Sequence, residues 1–216
     1  MTSTTTELKR RFHDVVENED ELRSVVGSPL KRALDKELSV IDDASRQFIA
    51  HAPFVFIASS SEQGILDISP KGDPAGFVVV LDERTLAIPD RLGNRRLDTF
   101  RNVLVNPHVA LIFVIPGITY TLRASGEAII VRDAELRDRM AVNGKAPDHA
   151  LVVSITTVFS HCPKCMIRAG LWNQEKWPDT TNLPSFAETL IAHAKLTEPL
   201  EEVATMLETS NRDRLY

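Results

Sequence analysis

The stretch Leu86 to Pro107, LAIPDRLGNRRLDTFRNVLVNP, sets adjacent arginines where an anion could be held. An apolar strand, Leu86 to Ile88, runs into a turn, and a basic helix is expected to open at Asn94-Arg95-Arg96 and continue to Val105. Asn94 suits the N-cap, because its side-chain oxygen can accept from a free backbone N–H of the first turn. The unpaired N–H groups and partial positive charge of a helix N-terminus favour an anion. Arginine's planar fork also fits phosphate better than a lysine ammonium does. Arg95 and Arg96 face different directions, so they do not form one solvated stripe. From this stretch alone they are either helix decoration or a phosphate clamp.

A second donor-rich segment, Ser69-Pro70-Lys71-Gly72-Asp73-Pro74, follows one strand and precedes the next. Its Pro and Gly read as a tight turn, and Gly72 permits close backbone approach to a ligand. Ser69 and Lys71 can each bond a phosphate oxygen, although a solvated hairpin loop has the same composition. With Asn94-Arg95-Arg96 at the end of a neighbouring strand, both segments could face one anion.

Two further groups carry possible chemistry. His161-Cys162-Pro163-Lys164-Cys165 contains a CxxC. A zinc site needs four ligands, and too few lie close here. A thioredoxin-like dithiol needs a βαβ context, whereas this motif follows an expected antiparallel strand. Structural cysteines are the favoured reading, and no metal is expected. If Pro163 opens a helix, Lys164, Arg168 and Trp172 share one face at four-residue spacing. Such a stripe could cover an aromatic anionic ligand, or be an exposed amphipathic face with Trp172 in the core. The chain has no G-x-S-x-G, H-E-x-x-H, P-loop or G-x-G-x-x-G, and no histidine spacing that suggests a triad, so no side-chain acid, base or nucleophile is named.

These groups need a scaffold. The chain has 216 residues, 43% of them hydrophobic, enough for a sizeable core. Its net charge of −5 argues against a general nucleic-acid binder, so its arginines must act locally. Residues 1–20 are polar, no apolar run is long enough to span a bilayer, and the 2 cysteines allow no disulfide framework, so a cytoplasmic protein is expected.

Residues 1–6 are expected to lack structure. Glu7 to Leu38 reads as helices broken near Gly27, with Ser28-Pro29 as a helix start, and a further helix spans about Asp42 to His51. The period then changes. Phe54 to Ser60, Ile65 to Ser69, Phe77 to Leu81, Leu86 to Ile88, Val109 to Ile115, Thr119 to Val131 and Leu151 to Phe159 read as strands, with a bend at Gly126. Six or seven short strands joined mostly by hairpins predict a mainly β, α+β fold: an antiparallel barrel flanked by helices at Asn94–Val105 and Asp133–Met140. Pro184 to Leu207 reads as short helices broken near Pro199.

The ordered set SPKGDPAGF, IPDRLGNRRLDTFRN, the NPHVALIF strand, FSHCPKC and LWNQEKWPD resembles the pyridoxamine 5′-phosphate oxidase-like flavoproteins with the FMN-binding split barrel, and within them a subgroup of FMN-dependent enzymes. The resemblance divides the chain into an N-terminal helical extension (1–40), a split-barrel domain (41–180) and a C-terminal helical tail (181–216). It implies a homodimer with FMN at the subunit interface, and backbone contacts to the flavin ring near Pro89 and Asp90. Asn94-Arg95-Arg96 stands at the place of the oxidases' phosphate motif, and Thr121 at that of a flavin-contacting glutamine. Ser69 and Lys71 fall where further flavin and phosphate contacts occur, and Lys164, Arg168 and Trp172 near the segment that reaches the partner's flavin. The oxidases end in an arginine–histidine pair that holds their substrate, whereas this chain reads Arg-Ala-Gly-Leu-Trp, so pyridoxamine phosphate oxidation is not expected. The expectation is an FMN-dependent oxidoreductase acting on an unidentified small molecule. The alternatives are a non-catalytic flavin or nucleotide carrier or redox sensor, or a relative that uses a deazaflavin or haem in the same barrel.

Overall fold

A computed structural model describes residues 4–216. The chain separates into two compact units, Met1–Glu37 and Leu38–Tyr216. In the first, α1 (Thr4–Arg11), α2 (Glu19–Val26) and α3 (Lys31–Leu34) are short helices, and α2 and α3 bury no residue. Residues 4–6 are helical rather than unstructured, and residues 1–3 lie outside the described residues. Leu30 stays extended (ψ 138°), so α3 opens at Lys31 and not at Ser28-Pro29.

The second unit begins with α4 (Asp43–His51), capped by Asp42, whose Oδ1 accepts from the Ser45 N–H at 2.8 Å. There follow β1 (Phe54–Ser60), β2 (Leu66–Gly72), β3 (Val79–Val80), β4 (Thr85–Pro89), α5 (Asp98–Val103), β5 (His108–Val114), β6 (Thr121–Val131), α6 (Ala134–Arg139), β7 (Ala150–His161), α7 (Lys164–Ala169), α8 (Phe186–Ala194) and α9 (Leu200–Asp213). The strands form one seven-stranded sheet in the order β2-β1-β5-β6-β7-β4-β3, antiparallel throughout.

Alternation along the strands points one set of side chains inward. Val55 and Ile57 of β1, Leu86 and Ile88 of β4, Leu111 and Phe113 of β5, and Val153 and Ile155 of β7 meet in one core. Strands from both halves of the sheet share it, so the sheet is curled into a split barrel. The outer face of β4 is covered as well, where Ala87 packs with Leu136 and Met140 of the α6 segment. This explains why β4 reads as an unbroken apolar run rather than an alternating one.

The bend expected at Gly126 is a register shift between Ser125 and Gly126 against β7. A Cβ at Gly126 would lie 1.9 Å from the Ser154 carbonyl oxygen, so no other residue fits that backbone approach. The shift changes the inward parity of β7 from Ile155 to Val158, which keeps both in the core.

Three local expectations are overturned. Ser69 to Gly72 is not a turn but the second half of β2, with Gly72 opposite Phe54 and Pro70 opposite Phe56. An outermost strand tolerates Pro, and a Cβ at Gly72 would press on the Phe54 ring at 3.3 Å. The helix expected from Asn94 begins only at Asp98. The Lys164 helix ends at Ala169, because Gly170 turns into the left-handed region (φ 60°), which leaves Trp172 off it.

Candidate functional site

The outer strand β2 and the segment that leaves β4 come together at one mouth of the barrel. Alternation along β2 puts Asp67, Ser69 and Lys71 on its half-buried face. Lys71 Nζ lies 3.3 Å from Asp90 Oδ1, the Thr99 hydroxyl donates to Asp67 Oδ2 at 3.3 Å, and Arg91 Nε donates to Asp73 Oδ2 at 2.6 Å. Side chains thus tie β2 to the segment after β4, where no backbone ladder does.

Between these ties is a cleft of about 870 Å³, walled by β2, residues 90–100 and residues 145–149. It is large enough for a cofactor-sized molecule. Its lining includes cationic Lys71, Arg91, Arg95, Arg96 and Lys145 and acidic Asp67, Asp90, Asp98 and Asp148, so the charges nearly balance. Attraction for an anion must come from particular donors that are not already satisfied.

The loop between β4 and α5 supplies them. Asn94 Oδ1 accepts from the Arg96 N–H at 3.0 Å, which closes a turn two residues long instead of capping the helix. Arg95 (φ 61°) and Leu97 (φ 58°) both sit in the left-handed region, which costs a non-glycine residue about 1–2 kcal/mol. The Arg96 Nε donates to Asp98 Oδ2 at 2.7 Å, and this bond foremost holds its guanidinium above the ordinary arginine value. Arg95 is exposed and makes no side-chain bond among the described residues, so its whole fork is available.

The cleft therefore unites Ser69, Lys71, Asp90, Asn94, Arg95 and Arg96. Pro89, the buried last residue of β4, lies opposite Ala150 and stops short of the lining. Thr121, Lys164, Arg168 and Trp172 are elsewhere. Thr121 is buried where β6 begins, opposite His161 at the end of β7, and α7 follows that strand. The Trp172 indole N–H donates to the Ile118 carbonyl at 2.9 Å, so it anchors the β5–β6 connection rather than completing a helical stripe. Cys162 and Cys165 are exposed and unbonded, not core residues, and the described residues hold no cluster suited to a metal.

Sequence reading missed Asp67, Asp73, Arg91, Thr99 and Lys145. Arg91 lies inside the basic stretch and was legible there as a third arginine. Its carboxylate partner Asp73, only 1% exposed at its side chain, is 18 residues away with no pattern linking the two.

Residues 41–162 match the family model for pyridoxamine 5′-phosphate oxidase. The chain belongs to this family. The matched span takes in all seven strands and both the β2 and 90–100 walls of the cleft, while α7, α8 and α9 lie beyond it. Similar solved structures include HupZ from Group A Streptococcus (16% identity, TM-score 0.45, covering 56% of this chain and 93% of that one). A candidate pyridoxamine 5′-phosphate oxidase from Lactobacillus delbrueckii is another (20%, TM-score 0.45, 57% and 98%). An FMN-binding protein from Syntrophomonas wolfei is a third (13%, TM-score 0.42, 65% and 97%). No curated protein matches the chain. Among the described residues, no helix is long and apolar enough to cross a membrane.

Proposed function

We propose that the cleft binds FMN and that the protein is an FMN-dependent oxidoreductase acting on a small molecule as a homodimer. The observation that carries this reading is the convergence of Ser69 and Lys71 with the Asn94–Arg96 turn on one cleft, with the Arg95 side chain bonded to none of the described residues. The residues fit the group. Arg95 offers a bidentate fork for the phosphate, the Ser69 hydroxyl and Asn94 amide add neutral donors, and Arg96 adds charge from beside Asp98. Lys71, further along β2, and Asp90, facing it from the segment after β4, stand where the ring would lie and supply one cation and one acceptor to its polar edge. FMN, when bound, would supply the electron transfer itself, while the chain orients it and tunes the charge around its ring.

The homodimer is supported by the outer strand. Ile65, Leu66 and Ile68 are 70%, 76% and 66% exposed on and just before β2, with Leu66 and Ile68 on the strand face turned away from Ser69 and Lys71. In this reading Lys164 and Arg168, both exposed on α7, approach the flavin of the partner. The chain reads Arg168-Ala169-Gly170-Leu171-Trp172 where the resemblance places the oxidases' arginine–histidine pair, so the substrate differs from theirs in this reading.

The test is direct. Protein purified with FMN available should show a visible flavin spectrum that is lost into the filtrate on denaturation, and NADH, NADPH or dithionite should bleach it. A colourless protein that binds no added FMN contradicts the proposal. Binding of a deazaflavin or haem in preference to FMN would keep the fold and change the cofactor.

A further inference from the structure

The cleft has one wall from far outside the matched span. Tyr216, beyond α9, returns to line it. Its hydroxyl donates to Asp73 Oδ1 at 2.7 Å, across 143 residues of sequence. The other oxygen of that buried carboxylate accepts from Arg91 Nε at 2.6 Å. Arg91 also donates through Nη2 to the Met140 carbonyl at 2.7 Å, and its guanidinium carbon stands 5.6 Å from the centre of the Tyr216 ring. Lys145 Nζ donates to the Tyr216 backbone oxygen at 2.9 Å. The Asp73 bond, and burial after it, raise the phenol above its ordinary value, so it stays a proton donor.

The tyrosine is thus fixed at its hydroxyl, its ring and its backbone. The cleft carries charged groups at both of its ends. Near Asp67 stand Thr99 and Arg96, while near Asp73 stand Arg91 and Tyr216. Asp67 and Asp73 lie six steps of extended chain apart, about 20 Å. A phosphate held by Arg95 and Arg96 would direct the rest of a flavin along β2 toward the tyrosine. The cleft keeps its volume of about 870 Å³ with the ring in place, so the ring walls the space and does not fill it.

We infer that Tyr216 contacts the ring end of the bound ligand, and that Asp73 and Arg91 are positioning residues that hold it there. The inference rests on the FMN reading and deepens it. The test uses the full chain with Tyr216→Ala and Tyr216→Phe, titrated with FMN and with riboflavin. Tyr216→Ala should weaken both ligands by a similar factor, between about twofold and tenfold, because both carry the ring. Tyr216→Phe should keep most of the affinity, and its bound flavin should fluoresce more brightly, because a neighbouring phenol quenches flavin emission. Unchanged affinities in a folded Tyr216→Ala protein would reduce the tyrosine to a latch and overturn the inference alone, and tighter binding would show that the ring stands in the ligand's place. If the alanine variant does not fold, unchanged emission from Tyr216→Phe overturns it instead. A wild-type protein that binds neither ligand overturns this inference and the FMN reading together.

Discussion

Lys71 and Asp90 meet at 3.3 Å across the split in the barrel, where β2 has no backbone partner on that side. Their side chains are 25% and 17% exposed, so the pair is shielded enough to matter to both shape and site. Lys71→Met should leave Asp90 without its cation and widen the cleft. The expected loss is about 1–3 kcal/mol in denaturant unfolding, with weaker FMN binding in the same variant. Unchanged stability and affinity would mean that the pair only decorates the edge.

Gly126 is a backbone requirement. Gly126→Ala would place a methyl carbon against the Ser154 carbonyl at 1.9 Å, and backbone on both strands must move to relieve it. We expect a loss of about 3 kcal/mol or more, seen as a lower thermal midpoint. A midpoint within a degree or two of wild type would mean that the bulge relaxes freely.

How much of this was legible follows the range of the interactions. β1 is read from FVFIASS at its observed bounds, because its run of β-formers agrees with the inward alternation that the strand adopts. The Gly126 bend is read from one glycine in a long alternating strand. Local rules failed where tertiary context outvoted them. Pro70 and Gly72 signal a turn by composition, yet pairing with β1 draws them into a strand. Asn94 signals a cap, yet it bonds the Arg96 N–H and delays the helix to Asp98. Ser69, Lys71 and Asn94–Arg96 were legible as donors, but only the curl of the sheet brings them into one cleft. Tyr216 carried no local signal at all, since every contact that places it comes from distant sequence.

The exposed outer face of β2 should be where two copies meet. Light scattering should return a dimer for the wild type, and Ile68→Glu should shift it toward monomer by putting a charge into an apolar contact. A wild-type monomer at micromolar concentration with flavin bound would remove the partner's α7 from the site.

Cys162 and Cys165 are exposed, unbonded and away from the cleft lining. A Cys162→Ser/Cys165→Ser variant should keep its flavin spectrum and its reduction rate within a small factor. Loss of reduction with flavin still bound would make the pair a redox partner of the site.

The central claim is that Arg95 reads a phosphate in this cleft. The measurement is the dissociation constant of Arg95→Ala for FMN and for riboflavin, compared with wild type by calorimetric titration. Riboflavin shares the ring and lacks the phosphate, so it isolates the arginine's partner. Loss of a charge-assisted bond of roughly 1.5–3 kcal/mol predicts FMN binding weaker by about tenfold or more, with riboflavin nearly unchanged. Equal losses for both ligands, or none for either, would contradict the account.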